Sequence, residues 1–315
     1  MNNQRIVLAG GSGFLGRVLA DWLTARGAEV VILTRTPHRG GPVREVQWDV
    51  RTLGQWQREI EGAEAVINLA GRTVDCRYNA ENRRLIMDSR VDSTRVLGSA
   101  INLCGRPPRV WLNSSTATIY KHTYGAANDE ATGVIGATPD AKDEFSVEVA
   151  LAWERALEAA PTPDTRKIAL RSAMVLGSGQ NSVFPMLRRL VRLGLGGRMG
   201  NGRQFVSWIH ERDFCRAIEW LLAEDDFRGP ANLAAPNPVP NAELMRTLRK
   251  VCRMPLGLPA TRWMLEVGAF FLGTETELII KSRRVVPGRL LAAGFEFEFP
   301  HLRGALEDLC AKAPR

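Results

Sequence analysis

The chain has 315 residues, 45% of them hydrophobic and 24% charged, enough to bury a large core and carry a smaller second lobe. No apolar run approaches the ~20 residues that span a bilayer, and the opening MNNQRIVLAGG has too short an apolar run for a signal peptide, so membrane-embedded and secreted proteins are not expected. A formal charge of +8 and a pI of about 9.6 suit an anionic ligand, but aromatic residues make up only 7% and do not interleave with basic ones, which argues against nucleic acid.

In chain order, RIVLAG (5–10) reads as a buried strand, followed by a helix over 14–26 that stops at Gly27. AEVVILTR (28–35) and VREVQW (43–48) are the next strands, and a helix is expected over 52–61. AEAVINLAG (63–71) is a fourth strand, and a long helix over 80–103 ends at Gly105 and the Pro107–Pro108 pair. RVWLNSS (109–115) and RKIALRSAMVLG (166–177) are two more strands, with the helix DEFSVEVALAWERALE (143–158) between them. These apolar runs do not alternate and most are followed by helices, which predicts a parallel sheet covered on both faces. The fold class is α/β, a doubly wound Rossmann sheet.

After Gly177 the texture changes. FPMLRRLVRLGLGGRMGNGRQ (184–204) is basic and glycine-rich, APNPVPN (235–241) is a proline-rich linker, and helical patterns follow, broken by a short strand FEFEF (295–299). The expected organisation is a dinucleotide-binding domain over 1–177, to which 205–234 returns, and a smaller, mostly helical C-terminal substrate lobe from 178–204 and 235–315. Five cysteines, odd in number and without a C-x-x-C, indicate reduced thiols and a cytoplasmic protein. Four scattered histidines have no metal-ligand spacing, so no metal is expected.

GGSGFLG (10–16) follows a strand and opens a helix, the context a dinucleotide-binding fingerprint requires. Gly10 allows the tight turn, Gly13 lets the backbone approach a pyrophosphate, and Gly16 lets helix and strand pack closely, with Phe14 and Leu15 between them at the helix start. An acidic residue at the end of the second strand would bind the ribose of NAD. Here stand Thr34 and Arg35, then His38 and Arg39, with no carboxylate until Glu45, so the expected cofactor is NADP(H), its 2′-phosphate met by arginine. Asp49 is placed either to meet the adenine amino group or to cap a helix.

GGSGFLG, Arg35, NLAG (68–71), SSTATIY (114–120), RSAMVLG (171–177) and SWIHERD (207–213) together resemble the extended short-chain dehydrogenase/reductase superfamily. SRVDSTRVL (89–97), LGLGG…GNGRQFVSWIH (193–210) and KSRRVVPGRLLAAGFEFEFP (281–300) resemble, more narrowly, its atypical epimerase-like subgroup. The resemblance implies that Leu69, Ala70 and Gly71 line the cofactor, that Arg90 reaches its phosphates and that Val175 lies beside the nicotinamide. Core packing for Leu69 and Val175, and a surface ion pair for Arg90, are the plainer readings. A homodimer through the 80–103 and 143–158 helices is the superfamily's habit.

Catalytic members of that superfamily combine a Ser or Thr with a Tyr and a Lys one helical turn apart, the lysine lowering the pKa of the proton-transferring phenol. SSTATIY puts Thr116 at the hydroxyl position. None of the three tyrosines has a lysine four residues on, and the 143–158 helix offers Val149 and Trp153 instead. The usual relay is therefore excluded. Tyr120, with Lys121 and His122, is the substitute considered for proton transfer; Glu148 and Glu154 read as the solvated face of their helix. In the second lobe Arg198, Arg203 and Gln204 sit on a glycine-rich loop and are candidate ligands for a small anionic substrate, while His210 reads as a structural histidine. The resulting expectation is an NADP(H)-binding, epimerase-family protein: an oxidoreductase for a small anionic hydroxyl or carbonyl compound, or else a non-catalytic NADPH sensor, or a nucleotide-sugar epimerase.

Overall fold

A computed structural model of the chain describes residues 3–38, 40–179, 181–261, 263–266 and 275–312. Its elements run β1 (Arg5–Ala9), α1 (Phe14–Thr24), β2 (Glu29–Thr34), β3 (Arg44–Gln47), β4 (Ala65–Asn68), α2 (Ala80–Asn102), β5 (Val110–Thr116), α3 (Glu144–Glu158) and β6 (Arg166–Ser172). They continue with β7 (Met174–Leu176), α4 (Val183–Arg192), β8 (Phe205–Val206), β9 (Trp208–His210), α5 (Glu211–Ala223), β10 (Gly229–Leu233), β11 (Val239–Pro240) and α6 (Asn241–Val251). Short helices Glu277–Ile280 and Gly288–Ala292 and a longer one, Leu302–Lys312, follow.

Seven strands form one parallel sheet in the order β10-β6-β5-β4-β1-β2-β3. Helices cover both faces, as non-alternating apolar strands demand. On one face α1 and α5 bury Leu19, Leu23, Phe214, Ile218 and Leu221 against Ile6, Leu8 and Ile32. On the other, α2 and α3 bury Val96, Leu97, Ile101 and Leu157, with Trp56 and Trp111 sealing the flank. The C-terminal part has its own apolar centre, in which Phe184 and Val191 of α4 meet Leu244 and Leu248 of α6 and Leu306. Strand order reverses between β1 and β4, and such a reversal opens a crevice at the carboxyl ends of the strands. Among the described residues no helix is long and apolar enough to cross a membrane, and no three His, Cys, Asp or Glu side chains gather as a metal site would require.

Three elements differ from the sequence expectation. Residues 52–61 make only a 3₁₀ turn, Gln55–Glu59, because Gly54 is fully extended and the Trp56 indole donates back to the Thr52 carbonyl at 3.1 Å. The 166–177 run splits at Ala173. Its N–H donates to Leu233, whereas Met174 donates to Ser207, so the ladder leaves the main sheet and β7 pairs with β9. FEFEF is not a strand. The N–H groups of Glu298 and Phe299 donate to the Asp213 carboxylate, each at 2.8 Å, and the Phe295 and Phe297 rings pack edge to face. Where a buried carboxylate takes the backbone donors, no ladder is needed to satisfy them.

Candidate functional site

The crevice begins at the glycine turn between β1 and α1. Gly10 has φ +74°, and a Cβ there would lie 2.6 Å from the Ala70 backbone. A Cβ on Gly16 would lie 2.3 Å from the backbone of Gly11. Around Gly13, by contrast, nothing lies within 4 Å of the would-be Cβ. Gly13 caps α1 without a side-chain acceptor, and no acidic residue occupies the first turn. The first N–H groups of α1 and the positive end of its dipole therefore face an open space, where a phosphate is stabilised. The Phe14 ring rests on Gly177 and Gly179, where a Cβ would come within 2.3 and 2.6 Å of it, and Leu15 packs on the core. The cradle fits the diphosphate of a dinucleotide.

At the end of β2, Thr34 is buried and its carbonyl accepts the Trp48 N–H at 2.9 Å. Arg35 is exposed and, among the described residues, has no ion-pair partner. Glu45 is already engaged, by Arg17 at 3.1 Å and by the His38 N–H at 2.8 Å, so it offers no free carboxylate beside Arg35. Arg39 lies outside the described residues. Asp49 accepts from the N–H groups of Arg51 and Thr52 and from the Thr52 hydroxyl, which holds its carboxyl below the usual range. Of its two readings, the capping one is realised, on a turn rather than a helix.

The loop after β4 is held by Asn68. Its amide nitrogen donates to Asn113 at 2.8 Å and its oxygen accepts the Ala70 N–H at 3.0 Å; Leu69 packs against the core and Ala70 is buried, while Gly71 is exposed. Arg90 donates to the carbonyls of Arg72 and Ile86, lies 3.3 Å from a Cβ imagined on Gly71, and covers the Trp153 ring at 5.1 Å. Burial pushes its pKa down to about 10, and among the described residues it has no carboxylate partner, so the surface ion pair is not formed. Val175 is half-buried on β7 and packs against the core.

On α3 the relay positions are sealed. Val149 packs with Ile86 and Phe145, and the Trp153 indole donates to Thr94 at 3.1 Å. Thr116, half-buried at the end of β5, accepts the Thr118 N–H at 3.1 Å. Tyr120, the expected substitute acid, is only 2% exposed. Its hydroxyl accepts from Arg171 at 2.8 Å and donates to Asn232 at 3.0 Å, and burial raises its pKa. Glu154, far from being solvated, accepts from Arg171 and from Ser115 at 2.6 Å. Tyr120 thus belongs to a buried polar network with Arg171, Asn232 and Glu154. The Nδ1 of His122 accepts the Ser282 N–H at 2.9 Å, which puts the ring's proton on Nε2, and burial lowers its pKa.

A second group of polar side chains fills the space between Thr116 and the first turn of α3, and the second lobe supplies half of it. Arg283 donates to the Thr118 hydroxyl at 3.0 Å and approaches Glu277 at 3.4 Å. Glu277 accepts from Ser146 on α3 at 2.7 Å, and burial raises its pKa. Lys281 donates to the Thr118 carbonyl at 2.6 Å and pairs with Asp143 just before α3. Tyr78, from the loop before α2, packs edge-on against Phe145 at 5.1 Å, and burial pushes its pKa up to about 12. Nothing in the local sequence marks Tyr78, Ser146 or Glu277, because their neighbours lie far away in the chain.

The second-lobe candidates separate. Arg198 and Arg203 are exposed, Arg203 lying 5.8 Å over the Tyr124 ring. Gln204 is 2% exposed and donates to the carbonyls of Met199 and Ile279, so it ties the glycine-rich loop to the second lobe instead of facing a ligand.

Residues 6–234 match the model of the NAD dependent epimerase/dehydratase family, and residues 260–309 match a domain family of unknown function. The chain is 33% identical over 312 residues to the epimerase family protein SDR39U1 of Bos taurus, covering 98% of this chain and all of that one. It is 29% identical to the epimerase family protein YfhF of Bacillus subtilis, with 98% of each chain covered. Among solved structures it superposes on human SDR39U1, crystallised with NADPH, with a TM-score of 0.83 at 29% identity, covering 98% of this chain and all of that one. With 229 consecutive residues inside the family model, counted from 6 through 234, and relatives aligned end to end, the chain belongs to the NAD dependent epimerase/dehydratase family.

Proposed function

We propose that this chain binds NADP(H) along the crevice and transfers hydride between it and a small anionic carbonyl or hydroxyl compound, without the Tyr-Lys relay. The observation that carries the reading is the convergence of polar groups from both lobes on Thr118, two residues beyond Thr116, and on Ser146 of α3. The glycine turn and the N-terminus of α1 would hold the diphosphate, and the unpaired Arg35 would take the 2′-phosphate, as the NADPH-bound human relative supports. Arg90, with a guanidinium edge toward Gly71, is suited to the phosphate side. When bound, the dinucleotide supplies or accepts the hydride. Thr116 orients the substrate oxygen, Val149 and Trp153 exclude water behind it, and Arg198 and Arg203 draw in the anionic end. Five free thiols support a reducing, cytoplasmic setting.

Incubating the protein with 4-deuterated NADPH and a metabolite extract, then searching by mass spectrometry for labelled products, tests the reading. Label in one product, lost in Thr116→Ala, is the expected result. No transfer from protein saturated with NADPH overturns it in favour of a cofactor sensor, the reading that the buried Trp153 favours.

A further inference from the structure

The exposed apolar side chains of this protein are gathered rather than scattered. Among the described residues thirteen large apolar side chains stand exposed, and seven of them fall within residues 186–195 and 256–264 of the second lobe. Single exposed leucines need no explanation, whereas a contiguous group marks an interaction surface. The group is contiguous because two loops are stapled together. Leu258 donates its N–H to the Gly194 carbonyl at 2.7 Å and accepts the Gly197 N–H at 3.1 Å, and the Ala260 N–H donates to the Arg198 carbonyl at 3.0 Å. A Cβ on Gly197 would lie 2.4 Å from the Leu258 backbone, and one on Gly257 would lie 2.9 Å from that of Gly196. Leu193 and Leu195 on the first loop therefore stand beside Leu256 and Leu258 on the second, the latter two 75% and 65% exposed. Trp263 and Met264 extend the patch, since Leu265 packs onto the core of the second lobe while these two remain outside.

The charge around the patch has one sign. Residues 183–204 carry five arginines, residues 244–261 carry three arginines and a lysine, and neither segment holds an Asp or Glu. Removing these nine cations would take the formal charge from +8 to −1, so the basic character of the chain resides here. On α4 the apolar Phe184, Leu187 and Val191 are buried in the second-lobe core. Arg189 and Arg192 are left outside, exposed and, among the described residues, without a carboxylate partner. Lys250 and Arg253, at the end of α6, are exposed and unpaired in the same way.

We propose that this face of the second lobe docks on an anionic phospholipid surface, the leucines and Trp263 entering the headgroup–acyl boundary and the arginines meeting the lipid phosphates and carboxylates. Docking of this kind needs no spanning helix. A symmetric contact with a second copy would instead set the same unpaired cations against each other. A protein partner would have to offer pockets matched to separate, protruding leucines, whereas the interfacial layer of a bilayer takes them without shape matching. Tryptophan suits that layer because its ring is apolar and its N–H polar, and the cytoplasmic leaflet supplies the negative potential. Docking is independent of hydride transfer, and no residue assigned to the cofactor crevice takes part in it.

Cosedimentation of the full chain with lipid vesicles is the test. Binding is expected to phosphatidylcholine vesicles that contain phosphatidylserine and not to phosphatidylcholine alone, and it should weaken as salt screens the charges. Leu256→Ser together with Leu258→Ser should lower partitioning about 10- to 100-fold, and Arg189→Glu together with Arg192→Glu at least as much. Melting temperature and NADPH titration should stay at wild-type values, because all four side chains are exposed. Lipids brominated on the acyl chain should quench the tryptophan emission of the wild type, and quench it less in Trp263→Phe. No binding to the mixed vesicles overturns the proposal. So does binding that survives the leucine substitutions, which is adsorption by charge alone. A dimer in sedimentation velocity that the same substitutions dissolve would also overturn it, giving the face to a second copy.

Discussion

Gly10, Gly13 and Gly16 belong to one strand–turn–helix, whereas Tyr78, Ser146 and Glu277 come from a loop, a helix and the second lobe, with some two hundred residues between the first and the last. The two halves of one cleft are built by different means. The cofactor half is a backbone device. Gly10 and Gly16 are required by backbone contacts of 2.6 and 2.3 Å that a Cβ would make with Ala70 and Gly11, and its anion site is a bare helix end that forms whenever the helix forms. The other half is a side-chain device, in which residues 277–283 dock on Thr118 and on the start of α3 through Lys281–Asp143 and Arg283–Glu277. The first half should outlast damage to the second.

Breaking the docking is the strongest way to separate them. Lys281 is fully buried against Asp143, so Lys281→Met strands a buried carboxylate and costs about 3–5 kcal/mol. A lower melting temperature with NADPH titration intact is the expected outcome; equal loss of both would show that the two halves form one unit. The converse experiment is Arg35→Ala, at an exposed residue without an ion-pair partner among those described. Losing one charge-assisted contact is worth about 10- to 100-fold in NADPH affinity, with NADH affinity and melting temperature nearly unchanged, as calorimetry would report.

Tyr120 sharpens the comparison within the side-chain half. Tyr120→Phe leaves Arg171 and Asn232 each short of a partner and should cost about 1–3 kcal/mol in stability, while deuterium transfer stays at the wild-type rate. The smallest effect at neutral pH belongs to His210. Burial, opposed by Asp308, drives its pKa from 6.5 down to about 4, because the neutral ring caps α5 by accepting the Arg212 N–H. Between those values the unfolded chain binds the extra proton, so the contribution is complete above pH 6.5 and is lost as pH falls toward 4. His210→Asn, which keeps an acceptor at the cap, should flatten that acid limb in melting curves and change nothing at pH 8.

The parallel sheet, the glycine turn and the lack of a Tyr-Lys pair were legible because each depends on near neighbours in the chain. Non-alternating apolar runs declare a sheet covered on both faces, and glycine at 10 and 16 answers to backbone contacts that tolerate no Cβ. The errors fall where a distant partner overrules local pattern. Tyr120 looks like a loop residue beside a strand until Arg171 and Asn232 close over it, and FEFEF alternates like a strand until Asp213 takes its amide protons. Gln204, on a loop that reads as a ligand loop, is drawn inward by the carbonyls of Met199 and Ile279.

By itself, then, the sequence determined the fold class, the phosphate cradle, the unopposed Arg35 and the absence of the usual acid, because strand patterning, turn chemistry and residue identity act over a few positions. Only the tertiary structure decided where each tyrosine packs. Burial and pairing are properties of neighbours brought together by folding, and they lock Tyr120 into a structural network while setting the Tyr78 ring edge-on against Phe145 of α3.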